Sequence, residues 1–253
     1  MIILNALVLS EKNVGESSKS IRVLTAEKGV ISIFIRGGQK SSKNSSSTQT
    51  FAYSKLCIEE KKNAKGQTNY YLNSSENLKL FYNLRLDAKR MSLASYFSDL
   101  LIYTGTEEIH TAENKEILRL TLNTFHFLNE KKLPMELLKC IFEFRMLCEI
   151  GLRPALIGCK NCLAYESETM YFDLKENNLT CKNCFEDYEN TDIFPMDKTL
   201  LYIVRFIALT DYNRLFSFKI SEKYQKKLTG FTEKFVEYNL KRNFSTLKFY
   251  KML

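Results

Sequence analysis

Apolar and polar positions follow two different rhythms along this chain, and the change falls near residue 75. Before it, β-branched and aromatic residues gather in short runs between turn signals, and 3–9, 20–25, 30–36, 51–60 and 69–73 are expected to be strands. In the third run Val30, Ser32 and Phe34 alternate with Ile31, Ile33 and Ile35, so both faces are mostly apolar, as in a strand curled into a small barrel. Five short strands at this spacing fit an OB-type barrel, whose grooves commonly hold single-stranded nucleic acid. An SH3-like barrel is the structural alternative.

After residue 75 the apolar positions recur at three- and four-residue steps: Leu78, Phe81 and Tyr82, then Met91, Leu93, Phe97, Leu100 and Leu101. A second helix is expected over 112–130. Pro134 marks the start of a third, which Gly151 ends. Helices resume near Pro195 and continue through 221–242 to a short last piece. These stripes read as core rather than cofactor boxes. The expected fold class is α+β: a five-stranded nucleic-acid-binding barrel over 1–75, then a helical domain over 76–253 interrupted at about 155–190.

That interruption carries Cys159, Cys162, Cys181 and Cys184, two C-x2-C pairs separated by eighteen residues. The spacing fits a tetrahedral four-thiolate zinc site, with each sulfur about 2.3 Å from the ion. The rival reading is a pair of redox dithiols, but two pairs in one short acidic hairpin suit one metal better. Four thiolates leave no open coordination position, so the expected Zn2+, one per chain, folds the chain rather than catalyses. The turn of this hairpin is expected at Asn177-Asn178. Cys57, Cys140 and Cys148 sit in apolar patterns and read as buried small hydrophobes.

Charge divides the chain into thirds. Residues 1–70 hold 11 Lys/Arg and 5 Asp/Glu, a balance of +6; residues 71–197 balance to −6; residues 198–253 hold 12 and 4, giving +8. Basic ends flanking an acidic middle attract polyanions or acidic peptides. The stretch from Gly37 to Ser47 is rich in glycine and serine and carries no acid. It reads either as a solvated loop or as a basic loop that orders on phosphates. Phosphate-binding and nucleophile-elbow signatures are absent. His126, between Phe125 and Phe127, reads as a packed histidine, so catalysis is not expected. No apolar run approaches membrane length and residues 1–9 lack the features of a leader, so a cytoplasmic protein is expected.

Several runs together resemble the bacterial recombination-repair family RecO. They are Ala6-Leu7-Val8-Leu9, Gly15-Glu16, Leu24-Thr25-Ala26-Glu27-Lys28-Gly29, Arg36-Gly37 and Lys40-Ser41. Further along come Phe142-Glu143-Phe144-Arg145-Met146-Leu147, Gly151, Pro154, Cys159 and Cys162, and then Ser245-Thr246-Leu247-Lys248-Phe249. The resemblance implies a recombination mediator that binds single- and double-stranded DNA and anneals complementary strands. It also implies recognition of the acidic, aromatic-ended tail of the single-strand-binding protein SSB, action with RecR to load RecA, and association with the nucleoid during repair. Arg22, Arg36, Lys40 and Lys43 are the expected DNA contacts, with Tyr53, Tyr70 and Tyr71 as weaker stacking candidates. Lys223, Lys226 and Lys227, beside the aromatics Phe206, Tyr212, Phe216 and Phe218, are the expected partner contacts. Arg145 joins them through its place in the family-like stretch, against a simpler reading as an i+4 partner of Glu149. On the residues alone, a zinc-ribbon RNA-binding or transcription-associated factor is the competing function.

Overall fold

In the computed structural model, which describes residues 1–38, 44–105, 111–186 and 192–253, the N-terminal strands close into a barrel. They are β1 (Ile2–Val14), β2 (Ser18–Thr25), β3 (Gly29–Ile35), β4 (Ala52–Lys62) and β5 (Thr68–Leu80), in the spatial order β1-β2-β3-β5-β4. All pairings are antiparallel except β3 with β5, the closure of an OB-fold. Alternation decides which side of each strand faces in. Ile31, Ile33 and Ile35 join Ala6, Val8, Ile21, Val23, Leu56 and Ile58 in the barrel core, while Val30 and Phe34 lie half-buried on the other side. The β2–β3 turn depends on Gly29, whose φ is +61° and where an added Cβ would meet the Asn114 side chain at 2.9 Å.

Beyond the barrel come α1 (Ala88–Thr104), α2 (Thr111–Asn129) and α3 (Met135–Leu147). Four strands follow: β6 (Ala155–Cys159), β7 (Thr169–Asp173), β8 (Asn178–Cys181) and β9 (Ile193–Asp197). The chain continues through α4 (Lys198–Leu209), α5 (Tyr212–Leu215), α6 (Glu222–Leu240) and α7 (Ser245–Met252). No helix among the described residues is long and apolar enough to cross a membrane. The fold class is α+β, as the two rhythms of the sequence predict.

Two compact units divide the chain: Met1–Lys132 with Phe244–Leu253, and Leu133–Asn243. In the first, α1 and α2 accompany the barrel and α7 returns to pack on α1, placing Phe244 edge-on to Tyr96 and Tyr103. Asp87 starts α1 by accepting from the Lys89 and Arg90 amides. In the second, α3 packs on α6 and Phe144, Phe172 and Phe194 gather around Phe231. The division at 75/76 read from the sequence falls inside β5 and cuts the chain elsewhere.

Two local expectations are corrected. The helical rhythm does not begin at Leu78, because β5 runs on to Leu80. Its polar stretch from Asn73 to Asn77 has little strand propensity, but the full-length ladder with β4 supplies the hydrogen bonds that hold it extended. Pro195 does not start a helix. It lies in β9, opposite Tyr171, and α4 starts three residues later with the Asp197 carboxylate accepting from the Leu200 amide. Cys140 and Cys148 are buried as expected, whereas Cys57 is only half-buried on β4.

Candidate metal centre and nucleic-acid interface

Cys159 ends β6 and Cys181 ends β8, and the parallel pairing of these strands brings the first cysteine of each pair to one end of the small sheet. Each chain then turns sharply to deliver its second cysteine. In the first turn the Leu163 amide donates to the Cys159 carbonyl at 2.9 Å. The turn closes over bare backbone, since a Cβ at Gly158 would stand 2.9 Å from the Leu163 carbonyl oxygen. The second is a short 3₁₀ turn, Lys182–Cys184. Between the pairs, β7 and β8 form the expected hairpin, with Asn177 at φ 52°, a left-handed conformation that asparagine tolerates. Tyr171 and Phe185 stack face to face at 3.9 Å beside it.

All four sulfurs lie within 4.8 Å of one another, and Cys162 and Cys181 are 3.6 Å apart. A tetrahedron with metal–sulfur bonds of about 2.3 Å has edges of about 3.8 Å, so the cluster has the size of a single ion's coordination shell. Its electrostatics agree. Burial pushes the Cys159 thiol up, but amides of Cys181, Cys162 and Asn161 directed at its sulfur bring it down to about 6. The sulfurs of Cys181 and Cys162, with lesser contributions from burial and Cys159, push the Cys184 thiol up to about 12. The Cys159 thiolate forms readily, whereas Cys184 ionises at neutral pH only if a cation shares the site.

The barrel places Arg22 exposed on β2, opposite Ser10 and Ser32, and Arg36 exposed just past β3. The Arg36 guanidinium lies 5.0 Å from the Tyr71 ring centroid, and Lys61 approaches the same ring at 5.9 Å. Phe34 completes this cationic aromatic face at 5.9 Å from Tyr71. Tyr70 lies under Lys28 at 5.3 Å, while Tyr53 is half-buried on β4, apart from these two tyrosines. Lys40 and Lys43 lie outside the described residues. Lys61 and Phe34 were missed in the sequence; both sit at strand positions whose outward direction depends on register.

The basic residues of α6 divide. Lys226 is exposed, Lys227 pairs with Asp197, and Lys223 and Lys227 approach the Tyr224 ring at 5.8 and 5.4 Å. Beside them opens an apolar cavity of about 300 Å³, lined by Tyr202, Ile203, Phe206, Phe218, Ile220 and Tyr224, with Lys219 also at its wall. Tyr202 is 66% exposed, and this break in the apolar face of α4 is the only trace of the cavity in the sequence. Arg145 does not reach this surface. It is buried in the same unit, donates from Nε to Glu149 at 2.6 Å, and donates from Nη1 to the Ile207, Ala208 and Thr210 carbonyls at 3.0–3.1 Å. Its guanidinium caps the C-terminus of α4, where unpaired carbonyls favour a cation, so the role as a partner contact gives way to the internal one.

Comparison with known proteins agrees with this architecture over nearly the whole chain. Residues 1–81 match the family profile described as Recombination protein O N terminal, and residues 85–248 match Recombination protein O C terminal. The profiles meet just past β5. A DNA repair protein RecO of Acetivibrio thermocellus is 24% identical over 251 residues, covering 98% of this chain and 96% of the relative. A RecO of Alkaliphilus metalliredigens is 26% identical over 250 residues, 97% of each. A RecO of Halalkalibacterium halodurans is 32% identical over 181 residues, 71% of this chain and 67% of the relative. With both profiles in order along a closed five-stranded barrel and its following helices, the chain belongs to the RecO family of DNA repair proteins.

Proposed function

We propose that this protein is a non-enzymatic recombination mediator that binds single- and double-stranded DNA and anneals complementary strands. In this reading it also contacts SSB and works with RecR to load RecA. The observation that carries the DNA part is the barrel face on which Arg36, unpaired with any acid among the described residues, lies over the Tyr71 ring of the half-buried Tyr71–Phe34 pair. Aromatic rings offer bases a stacking surface and the cations meet phosphates. Arg22, Arg36, Lys40 and Lys43 are the proposed phosphate contacts, with Lys61 and Tyr71 added. Reversing Arg36 and Lys40 together to glutamate is expected to weaken both single- and double-strand binding. The slope of log affinity against log salt should fall by about two. Unchanged anisotropy titrations would move the site off the barrel.

The four-cysteine cluster is proposed to hold one structural Zn2+, through Cys159, Cys162, Cys181 and Cys184. The site would supply cross-linking of the hairpin to β6 and no chemistry.

The apolar cavity between α4 and α6 is the proposed seat for the aromatic end of the SSB tail, with Lys219, Lys223 and Lys226 facing its acidic residues. Calorimetry with a synthetic tail peptide is expected to show micromolar binding that is lost when the terminal phenylalanine is deleted or when Ile220→Glu charges the cavity. Binding that follows peptide charge alone would reduce the contact to nonspecific attraction.

A further inference from the structure

Two lysines converge on one histidine in the first unit, and among the described residues neither lysine is paired with an acid. Lys79, near the end of β5, places Nζ 3.3 Å from Nδ1 of His126 in the last turn of α2. Lys132, just past α2, places Nζ 3.1 Å from Nε2 of the same ring. Both lysines are exposed and the ring is half-buried. A neutral imidazole has one accepting nitrogen and one N–H. With an ammonium at each nitrogen, one ammonium necessarily faces an N–H, so two donors point at one another and an acceptor is missing from between them.

The surroundings do not supply that acceptor. Among the described residues neither lysine forms an ion pair, and the nearest acid, Glu130, already accepts from the Asn129 amide at 2.8 Å. The rings beneath are apolar: Lys79 lies 5.3 Å from the Phe81 centroid and Lys132 lies 6.0 Å from that of Phe127. The groups acting on His126 are therefore Lys79 from β5, and Lys132 and Glu130 from the end of α2. Burial first, then the two lysines, hold its pKa below the usual histidine range, with Glu130 opposing them weakly.

We propose that Lys79, His126 and Lys132 form a binding site for a backbone phosphate of the nucleic acid that lies on the barrel, a proposal that rests on the DNA-binding reading above. Phosphate oxygens accept from both ammoniums and from the imidazole N–H at once. A polynucleotide fits better than an acidic peptide because β5 carries this cluster at one end and Tyr71, with Arg36 and Lys61, at the other. The eight residue steps from Tyr71 to Lys79 span roughly 25 Å of strand. A duplex presents a phosphate about every 3.4 Å along each strand, so a continuous polyanion meets both ends.

Binding an anion beside His126 raises its pKa towards and beyond the ordinary value. The bound state then holds the proton more tightly, so affinity rises as pH falls through the histidine range, by up to about tenfold for a one-unit shift. The test measures binding of the full chain to a labelled thirty-base-pair duplex as a function of salt, at pH 8 and pH 6. Lys79→Gln with Lys132→Gln is expected to lower the salt slope by about two, whereas removing equal charge at the exposed Lys160 and Lys175 leaves it unchanged. His126→Gln is expected to lose the gain in affinity between pH 8 and pH 6. In His110→Gln protein, which leaves a single histidine, the imidazole NMR titration should move to higher pH when the duplex is added.

A wild-type protein that binds DNA while the double lysine variant keeps its affinity, slope and pH response overturns this site and leaves the DNA-binding function standing. A wild-type protein that binds no DNA overturns both. Loss of acidic-peptide binding in the lysine variant with DNA binding intact reassigns the cluster to a peptide and equally overturns the proposal.

Discussion

Glu143→Ala is expected to destabilise the second unit by about 3–5 kcal/mol, the range typical of a buried charge stripped of its partner. Lys139 and Glu143 are both fully buried one turn apart on α3, with Lys139 Nζ 3.2 Å from each Glu143 oxygen. Glu233 of α6 reaches the same ammonium at 2.8 Å, and the Thr232 hydroxyl donates to Glu143 at 2.8 Å. Burial alone would lower the Lys139 pKa, but Glu143, with smaller contributions from Cys140 and Glu233, holds it above the ordinary lysine range. Removing Glu143 takes away the largest contribution that keeps the ammonium charged, and the cost falls on a buried Lys139 left with Glu233 alone inside the α3–α6 interface. Lys139→Met with Glu143→Leu should recover much of the loss, because an apolar pair of similar volume needs no desolvation. Urea unfolding of Glu143→Ala and of the double variant measures this. A single-variant cost below about 1 kcal/mol would show that water reaches the ammonium.

Cys162→Ser is expected to abolish metal binding and to open the small sheet. Structural zinc contributes about 10–16 kcal/mol in isolated fingers, as much as the whole stability of an ordinary domain. Here the sheet has some core of its own, since Met170, Phe172, Leu179 and Met196 are buried. The expected result is local: elemental analysis falls from about one zinc per chain to none, the Tyr171–Phe185 stack disperses in near-ultraviolet dichroism, and α1 keeps its helicity. Cys57→Ser, outside the cluster, serves as control. Loading metal at neutral pH should release protons, because Cys184 enters as a thiol and leaves as a ligand. Acid therefore weakens the site. Protein that keeps its melting temperature with a strong chelator and shows no bound metal would refute the assignment.

The four-cysteine cluster was legible because its two C-x2-C pairs stand close together in the chain, and the barrel because strand alternation survives in one sequence. Other features depend on partners far along the chain. Pro195 looks like a helix start until β7 claims it as an edge residue, and β5 reaches Leu80 only because β4 is there to pair with it. Arg145 shows the same limit. Its i+4 relation to Glu149 was visible, while the three carbonyls more than sixty residues away that fix it inside the fold were not. Nor does any local pattern bring Lys79 and Lys132 to the two sides of His126; strand β5 and the end of α2 do that.

The return of α7 to α1 also has a consequence in time. Tyr250 is 1% exposed and belongs to the first unit, yet it is made only after about 110 residues of the second. At roughly 5–20 residues per second, the face of α1 that receives Phe244 and Tyr250 waits on the order of ten seconds on the ribosome with its aromatic residues uncovered. The second unit is continuous in sequence and has no such delay. The later unit in the chain can therefore finish folding before the earlier one, and the barrel's unit is the one that needs shelter during synthesis.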